Sequence, residues 1–65
     1  MKFFYNGQLV RTSKTHVYTH AALRVMPDGA IRLWGCSTGI AGALRYQREA
    51  AKVNIPLIVV ELEHD

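Results

Sequence analysis

Hydrophobic and polar positions alternate from His16 to Met26, a pattern typical of a β-strand with one side toward a core. The inner side of this predicted strand carries Val17, Thr19, Ala21, Leu23 and Val25. The outer side carries His16, Tyr18, His20, Ala22, Arg24 and Met26. Pro27-Asp28-Gly29 then predicts a tight turn, and "AIRLWGC" predicts the next strand. Residues 16 to 36 are therefore expected to form an antiparallel hairpin.

The two alternations fix a register for this hairpin if Met26 pairs with Ala30. On the inner face, the register sets Val25 opposite Ile31, Leu23 opposite Leu33 and Ala21 opposite Gly35. On the outer face, it sets Arg24 opposite Arg32, Ala22 opposite Trp34 and His20 opposite Cys36. Two arginines directly across a strand pair repel each other, so this pair is expected to meet an anion, an acidic partner surface or water.

The remaining elements complete the predicted fold. "FFYNGQLV" predicts a hairpin, because Asn6-Gly7 suits the two positive-φ positions of a type I′ turn. Residues 37 to 54 predict a helix that Ser37 or Thr38 caps, and the apolar run 57 to 63 predicts a final strand. Inward helix positions are expected at Ile40, Ala43, Leu44, Gln47 and Ala51.

The predicted fold class is α+β: an antiparallel-dominated sheet with one helix packed on one face, in the order β-β-β-β-α-β or β-β-β-α-β. One helix can cover only one face of such a sheet. The other face is expected to display Tyr18, Trp34, the histidines and two arginines. That mixture of aromatic and cationic side chains is typical of an interface.

Length and composition limit the class of protein. Sixty-five residues form one domain, residues 1 to 65, and 49% apolar residues exclude disorder. So small a core without disulfides favours a homo-oligomer or a complex. Cys36 is the only cysteine, which favours a reducing, cytoplasmic setting. No signal peptide and no membrane-spanning run are recognisable.

The charge distribution favours an anionic partner for the N-terminal half. The formal net charge is +3, and residues 1 to 27 hold four Lys and Arg side chains and no acid. Head-to-tail attraction between copies and ordinary solubilising charge are the alternatives. The charge is low for a dedicated nucleic-acid binder, and no helix-turn-helix or RNP-type pattern is present.

Catalytic and metal chemistry find little support. The predicted register sets Cys36 beside His20 at the helix start, where the thiol pKa would be lowered. No orienting carboxylate lies nearby in sequence, so a small buried cysteine is the favoured interpretation and no enzyme is predicted.

The segment "GCSTG" suits either an anion nest or a turn with a hydroxyl cap. His16 and His20 would stand about 13 Å apart on one strand, too far to share a metal ion.

A resemblance adds a biological context. Arg11, Ser13 and the run Tyr18-Thr19-His20-Ala21, with Cys36-Ser37 and Gly42-Ala43 further on, resemble short uncharacterised proteins of phages and other mobile elements that carry an R-x-S-x4-Y-T-H-A stretch. The resemblance implies inhibition of a host system. Such inhibition works by occluding a host protein or by sequestering a nucleotide signal.

The sequence therefore predicts a small non-enzymatic interaction protein, a phage or mobile-element accessory factor that inhibits host defence by binding a host protein. The alternatives are a protein that sequesters a small nucleotide or another phosphate-bearing ligand, and a nucleic-acid-binding module. No cofactor, metal or membrane contact is predicted. The predicted partner- or ligand-binding residues are Arg11, Ser13, His16, Tyr18, His20, Arg24, Arg32, Trp34, Cys36, Ser37 and Thr38.

Overall fold

The fold is described from a computed structural model of residues 1 to 65. It contains two three-stranded antiparallel sheets and one helix, which confirms the predicted α+β class and element order. A short sixth strand follows the predicted last one. The elements are β1 (Lys2–Tyr5), β2 (Gln8–Thr12), β3 (His20–Val25), β4 (Ile31–Ser37), α1 (Ile40–Ala51), β5 (Leu57–Glu61) and β6 (Glu63–His64).

The first hairpin forms as predicted and belongs to the sheet ordered β2-β1-β6. Asn6 and Gly7 have φ values of 52° and 77°, which match a type I′ turn. Tyr5 consequently pairs with Gln8 across the turn. An irregularity between Phe3 and Phe4 then shifts the register of the two strands.

Strand β3 begins at His20 and not at His16, so the predicted strand began four residues too early. The Ser13 hydroxyl accepts the backbone N–H groups of Thr15 at 3.3 Å and His16 at 3.0 Å, and these bonds close a turn. Such side-chain-to-backbone bonds compete with strand pairing. Residues 14 to 19 therefore lead into the sheet ordered β4-β3-β5 without belonging to it.

The predicted register of β3 and β4 is correct near the turn and wrong beyond it. The Met26 N–H donates to the Ala30 carbonyl at 2.8 Å, and the three pairs Val25–Ile31, Arg24–Arg32 and Leu23–Leu33 form as expected. A bulge at the Trp34 position then shifts the register by one residue. The pairs observed beyond it are Ala22–Gly35, Ala21–Cys36 and His20–Ser37, in place of the predicted Ala22–Trp34, Ala21–Gly35 and His20–Cys36.

Close packing by Tyr46 of α1 accounts for the bulge. A Cβ atom on Gly35 would lie 2.9 Å from the Tyr46 ring, closer than real Cβ atoms approach. Gly35 is therefore the residue of this strand that fits beneath that ring. The bulge brings Gly35 to this position and leaves Trp34 as the unpaired extra residue.

Both faces of the β4-β3-β5 sheet are covered, so the prediction of one open face was wrong. On one face, α1 packs over Ala22, Ala50 and Leu57. On the other, side chains that include Tyr5 and Val10 of the first hairpin pack against the buried cluster of Ala21, Leu23 and Cys36. A second sheet can provide this cover because β5 and β6 lead the chain from one sheet into the other.

The helix differs from the prediction at its start and in the side it buries. Gly39 is the N-cap, without a side-chain cap bond, so the predicted cap by Ser37 or Thr38 was wrong. Ala43 is buried as predicted, but Ile40 and Leu44 are 55% and 41% exposed. At the other end, Asn54 has φ 61° and the Ile55 N–H donates to the Ala50 carbonyl, a typical helix termination.

Candidate functional site

The predicted site residues nearest the helix start converge on one surface cleft between the 13 to 18 segment and α1. The cleft has a volume of about 400 Å³. That volume is within the range of small-molecule sites. Nine residues line it: His16, Tyr18, Cys36, Ser37, Thr38, Gly42, Arg45, Tyr46 and Glu49.

Tyr18 forms one wall of the cleft and is held by three neighbours. The Phe3 ring contacts it edge-to-face with centroids 5.5 Å apart, and the His16 ring stacks on it at 5.7 Å. The Arg11 guanidinium carbon lies 5.6 Å from the centroid of the Tyr18 ring, a cation–π distance. Arg11 thus stands behind the wall and brings positive charge to this side of the cleft.

Ser13 does not line the cleft, but it helps to position the wall that Tyr18 and His16 form. Its hydroxyl closes the turn that places His16 next to Tyr18. The Thr15 hydroxyl then bonds His16 Nδ1 at 2.9 Å, which leaves Nε2 as the ring nitrogen available to a ligand. Ser13 and Thr15 therefore orient the imidazole from outside the cleft.

The predicted pairing of Cys36 with His20 does not form. His20 lies opposite Ser37, and Cys36 lies opposite Ala21. Burial raises the pKa of the Cys36 thiol, while the Arg11 charge acts in the opposite direction with a smaller effect. The thiol is thus protonated near neutral pH, contrary to the lowered pKa predicted for a nucleophile.

The opposite wall is built by residues that the sequence analysis did not select. Arg45 and Glu49 lie one helical turn apart and both line the cleft, together with the half-buried Tyr46. Their i, i+4 spacing is visible in the sequence. Which side of the helix meets the 13 to 18 segment is decided only by packing.

Besides Arg11 and Ser13, which lie behind the wall, four predicted residues lie outside the cleft. His20 lies in a separate depression with His64 and Glu61, and its Nδ1 bonds the Thr19 hydroxyl at 2.7 Å. Arg24, Arg32 and Trp34 lie along β3 and β4 toward the turn. Arg32 is five residues from Ser37, about 16 Å along the strand. The predicted binding surface therefore divides into separate regions.

The sequence matches no family model, and comparisons with curated proteins and with solved structures give no match. No helix has the length and apolarity needed to cross a membrane. No three His, Cys, Asp or Glu side chains group as they would around a metal ion.

Proposed function

We propose that this protein is a small non-enzymatic binding protein whose cleft holds a phosphate-bearing small ligand of the nucleotide class. The observation that carries the proposal is the convergence of a guanidinium, a hydroxyl and three aromatic rings on one cavity. These groups are Arg45, Thr38, His16, Tyr18 and Tyr46.

The polar groups suit a phosphate. Arg45 offers a charged donor, Thr38 offers a hydroxyl at the start of α1, and Arg11 adds positive charge behind Tyr18. The Ser37 hydroxyl already donates to the Gly39 carbonyl at 2.6 Å, so Ser37 shapes the cleft and is not a phosphate donor. Guanidinium-to-phosphate hydrogen bonds are among the stronger ones in proteins. The N-terminal end of a helix further favours a negative charge.

The remaining groups suit the organic part of a nucleotide. The rings of His16, Tyr18 and Tyr46 provide flat apolar surface on which a base can stack. Glu49 is the only acid in the lining and can accept a hydrogen bond from an N–H group of the ligand. A ligand that carries both an anion and an N–H-bearing ring therefore matches the cleft better than inorganic phosphate alone.

Binding without turnover is supported by the state of Cys36. The only thiol of the chain lies in the cleft lining, but its raised pKa keeps it protonated, and no histidine of β3 is paired with it. Sequestration of a nucleotide signal is one of the modes that the resemblance to phage proteins implies. Inhibition of a host system through a protein partner stays a prediction.

Isothermal titration with inorganic phosphate, nucleoside monophosphates and cyclic dinucleotides tests the proposal. We expect at least one nucleotide to bind and to raise the melting temperature. Arg45→Gln should weaken its binding about 10- to 100-fold, since it removes a charge-assisted hydrogen bond. Arg48→Gln is the matched control, because Arg48 lies on the same helix outside the cleft. Failure of every phosphate compound to bind, or equal effects of the two variants, would contradict the proposal.

A further inference from the structure

Arg24 and Arg32 form a directly opposed pair at the turn end of β3 and β4 that the cleft does not use. Cβ atoms of residues opposed in this way lie about 5 Å apart, and like charges so placed destabilise a sheet. The two guanidinium groups therefore oppose folding unless an anion neutralises them or the two side chains diverge into water.

No neighbour in the sheet supplies the missing negative charge. Arg24 lies between Arg32 on one side and Leu57 on the other, and the next residue of β3 on its face is Ala22. Neither arginine side chain takes part in the hydrogen bonds of the structure. Asp28 is the nearest acid in sequence, and its carboxylate already accepts the Ala30 N–H within the turn at 2.9 Å. Neither arginine is thus hydrogen-bonded or ion-paired within the protein.

Trp34 lies next to this pair and is 41% exposed. It follows Arg32 by two residues on the same strand and is the extra residue of the bulge. Bulges re-aim side chains and are frequent next to functional sites. The result is an exposed indole ring two residues along β4 from Arg32.

We propose that Arg24, Arg32 and Trp34 form a binding site for single-stranded nucleic acid. Adjacent backbone phosphates are bound by the two guanidinium groups, one phosphate by each, and the adjoining base stacks on the Trp34 indole. Guanidinium forks match phosphate geometry, and base-to-aromatic stacking tolerates any sequence. An acidic protein segment would neutralise the arginines but would leave the exposed indole without a flat partner, so nucleic acid is the favoured occupant.

Trp34 is the only tryptophan, so its fluorescence reports on this site alone. Titration of the intact protein with a ten-nucleotide oligothymidylate should quench the Trp34 fluorescence. The affinity for the oligonucleotide should fall as the salt concentration rises. The plot of log K against log salt has a negative slope. Arg24→Gln and Arg32→Gln should each make that slope less steep by about 0.7, the value for one single-strand phosphate contact. In anisotropy measurements with a labelled oligonucleotide, Trp34→Ala should weaken binding about 5- to 100-fold.

Two control variants and a stability measurement distinguish binding at this site from nonspecific attraction between a basic protein and a nucleic acid. Lys14→Gln removes one positive charge from the segment that precedes β3 and should leave the slope nearly unchanged. Arg45→Gln should leave it unchanged too, which makes this test independent of the cleft. Relief of repulsion in Arg32→Gln should raise the melting temperature of the ligand-free protein by a few degrees.

Three results would overturn the inference. One is an oligonucleotide that does not quench Trp34. A second is a salt slope that falls as much in Lys14→Gln as in Arg32→Gln. The third is quenching by an oligoglutamate peptide with none by the oligonucleotide, which would assign the pair to an acidic protein partner.

Discussion

The cleft and the paired arginines differ in how the chain builds them. The cleft joins residues 16 and 18 to residues 36 to 49, and its Tyr18 wall rests on Phe3 from the first hairpin. The arginine pair needs only one hairpin, whose turn sets Arg24 opposite Arg32. The cleft thus depends on packing over much of the chain, whereas the arginine pair depends on one local register.

The two regions also differ in what their polar groups already contact. Around the cleft, the Ser37 hydroxyl bonds Gly39, His16 Nδ1 bonds Thr15, and Arg11 lies over Tyr18. The two arginines near the turn have no such partner within the sheet. Binding in the cleft should consequently depend on shape and orientation, and binding at the arginine pair should depend on salt.

The largest effect that separates the regions is expected from Phe3→Leu. Phe3 is fully buried and contacts the rings of both Tyr18 and His64. The substitution should lower the free energy of unfolding by about 1 to 1.5 kcal/mol and weaken nucleotide binding, but it should leave oligonucleotide binding unchanged. Urea denaturation and the two titrations measure these effects.

Phe4→Leu is the matched control for that substitution. Phe4 is the next residue of β1, is only half-buried and makes no ring-to-ring contact. Phe4→Leu should lower the free energy of unfolding by less than Phe3→Leu does. It should leave nucleotide binding and oligonucleotide binding unchanged. If Phe4→Leu weakened nucleotide binding as much as Phe3→Leu did, the support of the Tyr18 wall by Phe3 would be disproved.

A smaller effect, confined to the other region, is expected from Asp28→Ala. The variant loses the carboxylate that accepts the Ala30 N–H, so the free energy of unfolding should fall by about 0.5 to 1.5 kcal/mol. Oligonucleotide affinity should fall because the turn no longer fixes the arginine register. Asp28→Asn keeps the acceptor and removes the charge, so it should retain the affinity or raise it. Equal gains in affinity for both variants would show that Asp28 acts by charge alone.

The smallest effect concerns alkaline pH and Cys36. Because burial raises the pKa of this thiol in the folded state, the unfolded chain loses its thiol proton first as pH rises. The contribution to stability is complete below about pH 8.5 and is lost as pH rises through the folded-state pKa. Cys36→Ala should therefore show a flatter decline of unfolding free energy above pH 8.5 than the wild type. Parallel declines in the two proteins would contradict the burial of the thiol.

Local patterns were sufficient for much of the fold. Asn6-Gly7 predicted the first hairpin because that dipeptide tolerates two positive φ angles, and Pro27-Asp28-Gly29 predicted the second. The α+β class and the element order followed from the same periodicities. The Arg24–Arg32 pair was predictable because it lies only two pairs from the turn, before any irregularity intervenes.

Tertiary packing decided what the periodicities could not. The bulge at Trp34 depends on how close α1 approaches Gly35, and a one-residue shift removed the predicted contact between His20 and Cys36. The burial of the second sheet face depends on a hairpin more than ten residues away in the chain. Arg45, Tyr46 and Glu49 became candidate site residues only because the helix turns that side toward the 13 to 18 segment.

The sequence by itself thus determined most of the elements, the two turns and the arginine pair, because these depend on backbone preferences within a few residues. The turn within the stretch from Arg11 to His20 has a local cause, because the Ser13 hydroxyl accepts the backbone N–H groups of Thr15 and His16 and competes with strand pairing. Only the tertiary structure decided that Tyr18 becomes the wall of a cleft. The Phe3 ring, from a distant part of the chain, then holds Tyr18 where the wall of the cleft forms.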